Sequence, residues 1–185
     1  MIGGAALLVM CGFAGWRLSL QPDVPLVRFT ERWVARVVEP LVKARRWRTR
    51  AIGIFLNNTA TLSLLLLCGR WPVTAALGVM GCGLFLGIAL RLLSDRSDWA
   101  RRAEDEPVAV NWRMMLGLTL NLLEPPAILA AVGLTLGQSL MSVEFGEAWR
   151  AFGVVIAPLL LAAACGEALW IGVLHDSATD GAPRQ

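Results

Sequence analysis

Five stretches of the chain are almost free of charge, at residues 2–20, 51–68, 73–93, 108–141 and 152–174. A helix that crosses about 30 Å of hydrocarbon needs about 20 apolar residues, and each stretch supplies enough. The first has Arg17 near its end, where a long side chain can reach the interface. It has neither a basic leader nor an A-x-A cleavage site, so it reads as a retained anchor helix. The fourth is too long for one straight helix, since its ~34 residues would reach about 51 Å. It contains Glu124-Pro125-Pro126-Ala127, and paired prolines break a helix interior but suit a first turn. The pattern predicts one helix ending near Leu123 and another starting near Pro125, with Glu124 at its positive end. So apolar a turn fits a hairpin or a discontinuous helix buried within protein.

Between the first two stretches the period changes. Leu26, Phe29, Trp33, Val34, Val37, Val38, Leu41 and Val42 recur at helical spacing, while Arg28, Arg32, Arg36, Glu39 and Lys43 step along another face. This predicts an amphipathic helix that Pro40 bends or ends. It either lies in the membrane interface, with Arg28, Arg32, Arg36 and Lys43 among anionic head groups, or packs on a partner subunit. The chain then divides into an anchor (1–20), a basic segment (21–50), a helical membrane core (51–174) and a polar tail (175–185).

Composition supports the membrane reading. Of 185 residues, 56% are hydrophobic and 17% charged, against about 25% charged in soluble domains. One soluble core could not hide that much apolar surface. The net charge is only +3, yet nine of the 17 Lys and Arg fall between Arg17 and Arg50, opposed by Asp23, Glu31 and Glu39. A basic block between spans is a poor fit to nucleic acid and a good fit to the cytoplasmic face. The connection from Arg91 to Arg113 balances five basic against five acidic residues and casts no vote. Trp16, Trp71, Trp112, Trp149 and Trp170 lie at or near span ends, as interfacial anchors do.

Polar residues inside apolar stretches are the candidate chemistry. Asn57, Asn58, Glu124 and Glu167 each occupy such a position, where ionisable groups cost a few kcal/mol. They act either as hydrogen-bonded glue between helices or as the lining of an ion or proton route. Gly83 with Gly87, and Gly133 with Gly137, form two GxxxG patterns that permit close helix packing, within the chain or in a homo-oligomer. Cys11, Cys68, Cys82 and Cys165 lie in apolar runs without CxxC spacing, so they read as apolar filler rather than metal ligands or disulfides. The single histidine, His175, sits beyond the last apolar run. With no HExxH, GxSxG or phosphate loop, the expectation is a protein without catalytic activity, cofactor or metal.

Several of these positions also carry a resemblance. Phe55-Leu56-Asn57-Asn58, the run Cys82 to Gly87, Glu124-Pro125-Pro126-Ala127-Ile128 leading to Gly133–Gly137, and Ala164-Cys165-Gly166-Glu167-Ala168 follow in the order and spacing of the stage II sporulation protein M family. That family usually has Asn where Cys82 stands and Pro-His-Gly where this chain has Thr119-Leu120-Asn121, and Arg is frequent where Thr135 stands. The resemblance implies a polytopic bacterial membrane protein that scaffolds partner membrane or envelope proteins, with relatives often encoded near transporter-like genes. The overall expectation is an all-α subunit of the bacterial cell membrane with about five crossings. It assembles with partner proteins, or alternatively serves a transporter or channel, such as an ATPase-permease, with its polar residues lining a route.

Overall fold

In the computed structural model the described residues (2–42, 44, 46–96 and 112–180) are helical apart from short connections. Lys43, residues 97–111 and the end of the polar tail lie outside them, as does the side chain of His175. The helices are α1 (Ile2–Leu18), α2 (Pro25–Trp33), α3 (Glu39–Val42), α4 (Trp47–Cys68), α5 (Pro72–Arg96), α6 (Trp112–Asn121), α7 (Glu124–Leu140), α8 (Phe145–Ala151) and α9 (Ala157–Asp180). The helix α9 therefore runs into the segment expected as a polar tail. No proline or glycine interrupts 173–180, so nothing ends the helix at the last apolar residue.

Among the described residues four helical stretches are long and apolar enough to cross a membrane: Trp47–Cys68, Pro72–Ser94, Trp112–Leu140 and Phe145–Gly172. The N-terminal apolar helix is shorter, Gly3–Leu18. Large apolar side chains such as Phe13, Leu64, Leu77 and Val154 face outward, an arrangement suited to lipid and unstable in water. The architecture fits a multi-pass membrane protein.

Two prolines leave the same mark. Pro40 and Pro158 each follow a π-helical turn, Val34–Val38 and Phe152–Ile156. Glu39 N–H donates to Val34 O, and Ala157 N–H to Phe152 O. A proline ring collides with the carbonyl four residues back, and the wider turn moves that carbonyl aside. Thus the helical segment continues through Pro40 to Val42 instead of ending there. Phe145–Gly172 likewise remains one long helical rod.

At the Glu124 break the chain behaves differently. Pro125 and Pro126 cannot donate to the carbonyls of Asn121 and Leu122. The turn is closed by Leu123 N–H to Leu120 O at 3.0 Å and Ala127 N–H to Leu123 O at 3.3 Å. The two halves face different neighbours, since α6 packs on α9 while α7 packs on α4, α5 and α9. Of the two expected forms, the discontinuous helix is the one observed.

The core forms where α4, α5, α7, α8 and α9 meet, around Leu66, Val79, Val132, Ile156 and Leu160. Polar groups help to register it. Thr135 Oγ1 donates to Leu65 O at 3.3 Å and Gln138 Nε2 to Leu66 O at 3.2 Å, joining α7 to the end of α4.

The amphipathic segment packs on its own chain. Val27, Thr30 and Val34 are buried, and the Trp33 ring meets Phe85 of α5 edge-on at 4.8 Å. The expected apolar stripe is therefore rotated, with Val27 inside and Phe29 61% exposed. Thr30 can enter the packed face because its hydroxyl donates to Leu26 O at 2.8 Å. Arg28, Arg32 and Arg36 remain exposed, as their spacing predicts.

Candidate intramembrane polar site

A cavity of about 200 Å³ opens between the amphipathic segment, α4, α5, the start of α7 and α9. All four intramembrane polar residues singled out in the sequence, Asn57, Asn58, Glu124 and Glu167, line it, together with Thr61 and Cys82. The helical period brings Asn57, Asn58 and Thr61 of α4 within one turn of each other. The Pro125-Pro126 start fixes where α7 begins and so delivers Glu124 to the same wall.

The polar groups are connected. Asn57 Nδ2 donates to Asn58 Oδ1 at 3.3 Å, and Asn58 Nδ2 donates to Glu124 Oε1 at 2.9 Å. Thr61 instead turns back to its own helix, its hydroxyl donating to Asn57 O at 3.0 Å. Glu167 stands apart, with no hydrogen bond to any described residue, although it shares the cavity with Glu124. No Lys, Arg or His lines the cavity among the described residues. The remaining wall is apolar and includes Trp33, Phe85, Leu86, Leu90 and Leu160.

Two carboxyl groups facing one space with no described cation make the site electronegative when either is ionised, and the low dielectric of the surroundings magnifies this. Such a site can take up a cation or share protons, and its lining also holds the free thiol of Cys82. Among the described residues no group of three His, Cys, Asp or Glu could hold a metal ion. The four cysteines are free.

Glycine contacts set the helices around this site. Gly83 and Gly87 face α1, as the GxxxG pattern suggests. A Cβ on Gly83 would lie 2.6 Å from Leu8 O, and one on Gly87 would strike Gly12 O. In the second pattern Gly137 has a different neighbour. A Cβ on Gly137 would meet Val143 of the turn that follows α7, and Gly137 O accepts from the N–H groups of Met141 and Val143. Gly137 thus serves the chain reversal, where Ser142 adopts φ 57°, and Gly133 is half-buried.

Some site-shaping residues escaped the sequence reading. Gly117 of α6 and Gly166 of α9 approach so closely that a Cβ on Gly166 would lie 2.7 Å from Gly117 O. This contact holds α9 beside the break and sets the position of Glu167, the next residue. Asn121, at the end of α6, buries its Oδ1 without a hydrogen-bond donor. Arg50 is 3% exposed and spans two elements, donating from Nη1 to Ala168 O at 3.0 Å and from Nη2 to Ala44 O at 2.7 Å. Its signal in sequence was faint, the last arginine of a basic run at the start of an apolar one.

Compared with protein-family models, curated proteins and solved structures, the chain matches none of them.

Proposed function

We propose that this chain is a non-enzymatic subunit of a membrane transport system in the bacterial cell membrane, with Asn57, Asn58, Glu124 and Glu167 lining its ligand route. One observation carries the reading: four polar side chains from three helices converge on a single cavity instead of being dispersed as separate ties between helices. Discontinuous helices beside such cavities are a common device of transporters, because the broken turn frees polar groups for a ligand. In this reading α1, α4, α5, the broken α6–α7 pair and α8–α9 make five crossings. The basic segment 17–50 faces the cytoplasm, where the exposed Arg28, Arg32 and Arg36 meet anionic head groups.

A second reading is a scaffold for partner membrane or envelope proteins, as the resemblance to the stage II sporulation protein M family implies. The Asn58–Glu124 bond favours it, since such a bond can serve only to fasten α4 to α7. Purification from native membranes under mild detergent separates the two readings. Recovery of a transport ATPase or permease supports the transport subunit. Recovery of peptidoglycan-remodelling enzymes with no transport component replaces it with the scaffold.

A further inference from the structure

The cavity also carries information about what it takes. Its volume of about 200 Å³ is below the range of about 300–1,000 Å³ that holds drug-sized ligands. The occupant is therefore small. Two carboxyl groups and no described basic residue face the space, which favours a positive charge and disfavours an anion. An inorganic cation would need about six oxygen ligands arranged around it. Here the described residues include no group of three His, Cys, Asp or Glu that could hold a metal ion, and one carboxylate oxygen, Glu124 Oε1, already accepts from Asn58. The rest of the lining is hydrocarbon and aromatic, including Leu86, Leu90, Leu160 and the paired rings of Trp33 and Phe85.

Glu167 is the group left over. Its carboxyl lines the cavity and has no hydrogen bond to any described residue, while Glu124 is held by Asn58 at 2.9 Å. A carboxylate among apolar side chains is stabilised by a cationic partner or neutralised by a proton, and the described residues supply no cation there. A ligand ammonium can supply it, donating to Glu167 while its hydrocarbon covers the apolar wall. The rings of Trp33 and Phe85 belong to the same lining.

We infer that the cavity between α4, α5, α7 and α9 is a binding site for a small organic cation, an ammonium group carrying a short hydrocarbon, with Glu167 as its anionic anchor and Asn58-held Glu124 beside it. This rests on the transport reading above and assigns it a ligand class. Recognition is by charge at one end and hydrocarbon at the other, as in other mostly apolar pockets with a few convergent polar groups.

The test uses the full chain in lipid nanodiscs, with calorimetric titration of n-hexylammonium against empty nanodiscs. Hexan-1-ol, hexanoate and sodium chloride serve as comparison probes. Saturable binding of n-hexylammonium is expected, at least tenfold tighter than hexan-1-ol, with no saturable binding of hexanoate and no displacement by sodium at equal concentration. Glu167→Gln should weaken n-hexylammonium at least tenfold and leave hexan-1-ol unchanged. Ala89→Leu, which fills the cavity from its apolar side, should remove both. Equal binding of the alcohol, displacement by sodium, or absence of saturable binding overturns the inference, and the wild-type comparison decides this even if a variant fails to fold. If a transport component co-purifies but n-hexylammonium does not bind, only the ligand class fails. If n-hexylammonium binds and no transport component is recovered, the transport reading fails while the site remains.

Discussion

Asn58 and Glu124 lie 66 residues apart in the chain, yet the Asn58 amide donates to the Glu124 carboxyl at 2.9 Å across the α4–α7 contact. Each residue alone is out of place in an apolar helix, and together they satisfy one another. Removing one partner should cost about 1 to 3 kcal/mol, because the other is left buried and unpaired. We expect Glu124→Leu and Asn58→Leu each to lower thermal stability in detergent by that amount. Glu124→Gln should change it by less than about 0.5 kcal/mol, since the amide oxygen still accepts. The double variant Asn58→Leu with Glu124→Leu should recover part of the loss. Strictly additive losses would mean that the bond contributes nothing.

The contact between α1 and α5 makes a sharper steric prediction. A methyl at Gly87 would strike the Gly12 carbonyl, whereas a methyl at Gly81 would meet nothing within 4 Å. Gly87→Ala should therefore destabilise by about 1 to 3 kcal/mol through backbone displacement. Gly81→Ala should be neutral or stabilising by up to about 1 kcal/mol, because alanine is the better helix former. Equal thermal midpoints for the two variants would show that α1 does not pack on α5 at Gly87.

Arg50 ties the start of α4 to Ala168 on α9, next to Glu167. Bonds from a charged donor contribute about 1.5 to 3 kcal/mol. Arg50→Leu should lower stability within that range. Arg50→Lys should lose much of the same contribution, since a single ammonium lacks the fork that reaches Ala168 O and Ala44 O together. Chemical denaturation in mixed micelles measures both, and a lysine variant as stable as wild type would show that the two-ended grip is not needed.

Orientation can be checked directly. Ser19 and Thr49 lie near the two ends of the basic stretch from Arg17 to Arg50, and both should lie on the cytoplasmic side by the bias of Lys and Arg. In a background with the four native cysteines replaced, Ser19→Cys and Thr49→Cys should resist an impermeant thiol reagent in intact cells and react after permeabilisation. Labelling of both in intact cells reverses the topology.

Much of the fold was legible in the sequence because the bilayer imposes one-dimensional rules. Length and polarity alone mark an apolar helix, so the spans around 51–68 and 73–93 and the interruption before Pro125 followed from residue order. Asn57, Asn58, Glu124 and Glu167 were likewise conspicuous, since a polar group inside an apolar run stands out against its neighbours. Which of them meet was not legible. The Asn58–Glu124 bond, the solitary Glu167 and the cavity they share depend on how α4, α7 and α9 pack. Packing is set by contacts such as Gly117 against Gly166 and Gly87 against Gly12, pairs remote in sequence and indistinguishable by type from Gly81, which touches nothing. The same limit explains the rotated face of the amphipathic segment. Periodicity identified a helix with one apolar side, but the docking of Trp33 on Phe85 decided which stripe went inward. Local composition fixes what a residue can tolerate, whereas three-dimensional packing alone decides what it touches, and here that decision turned four scattered polar residues into one site.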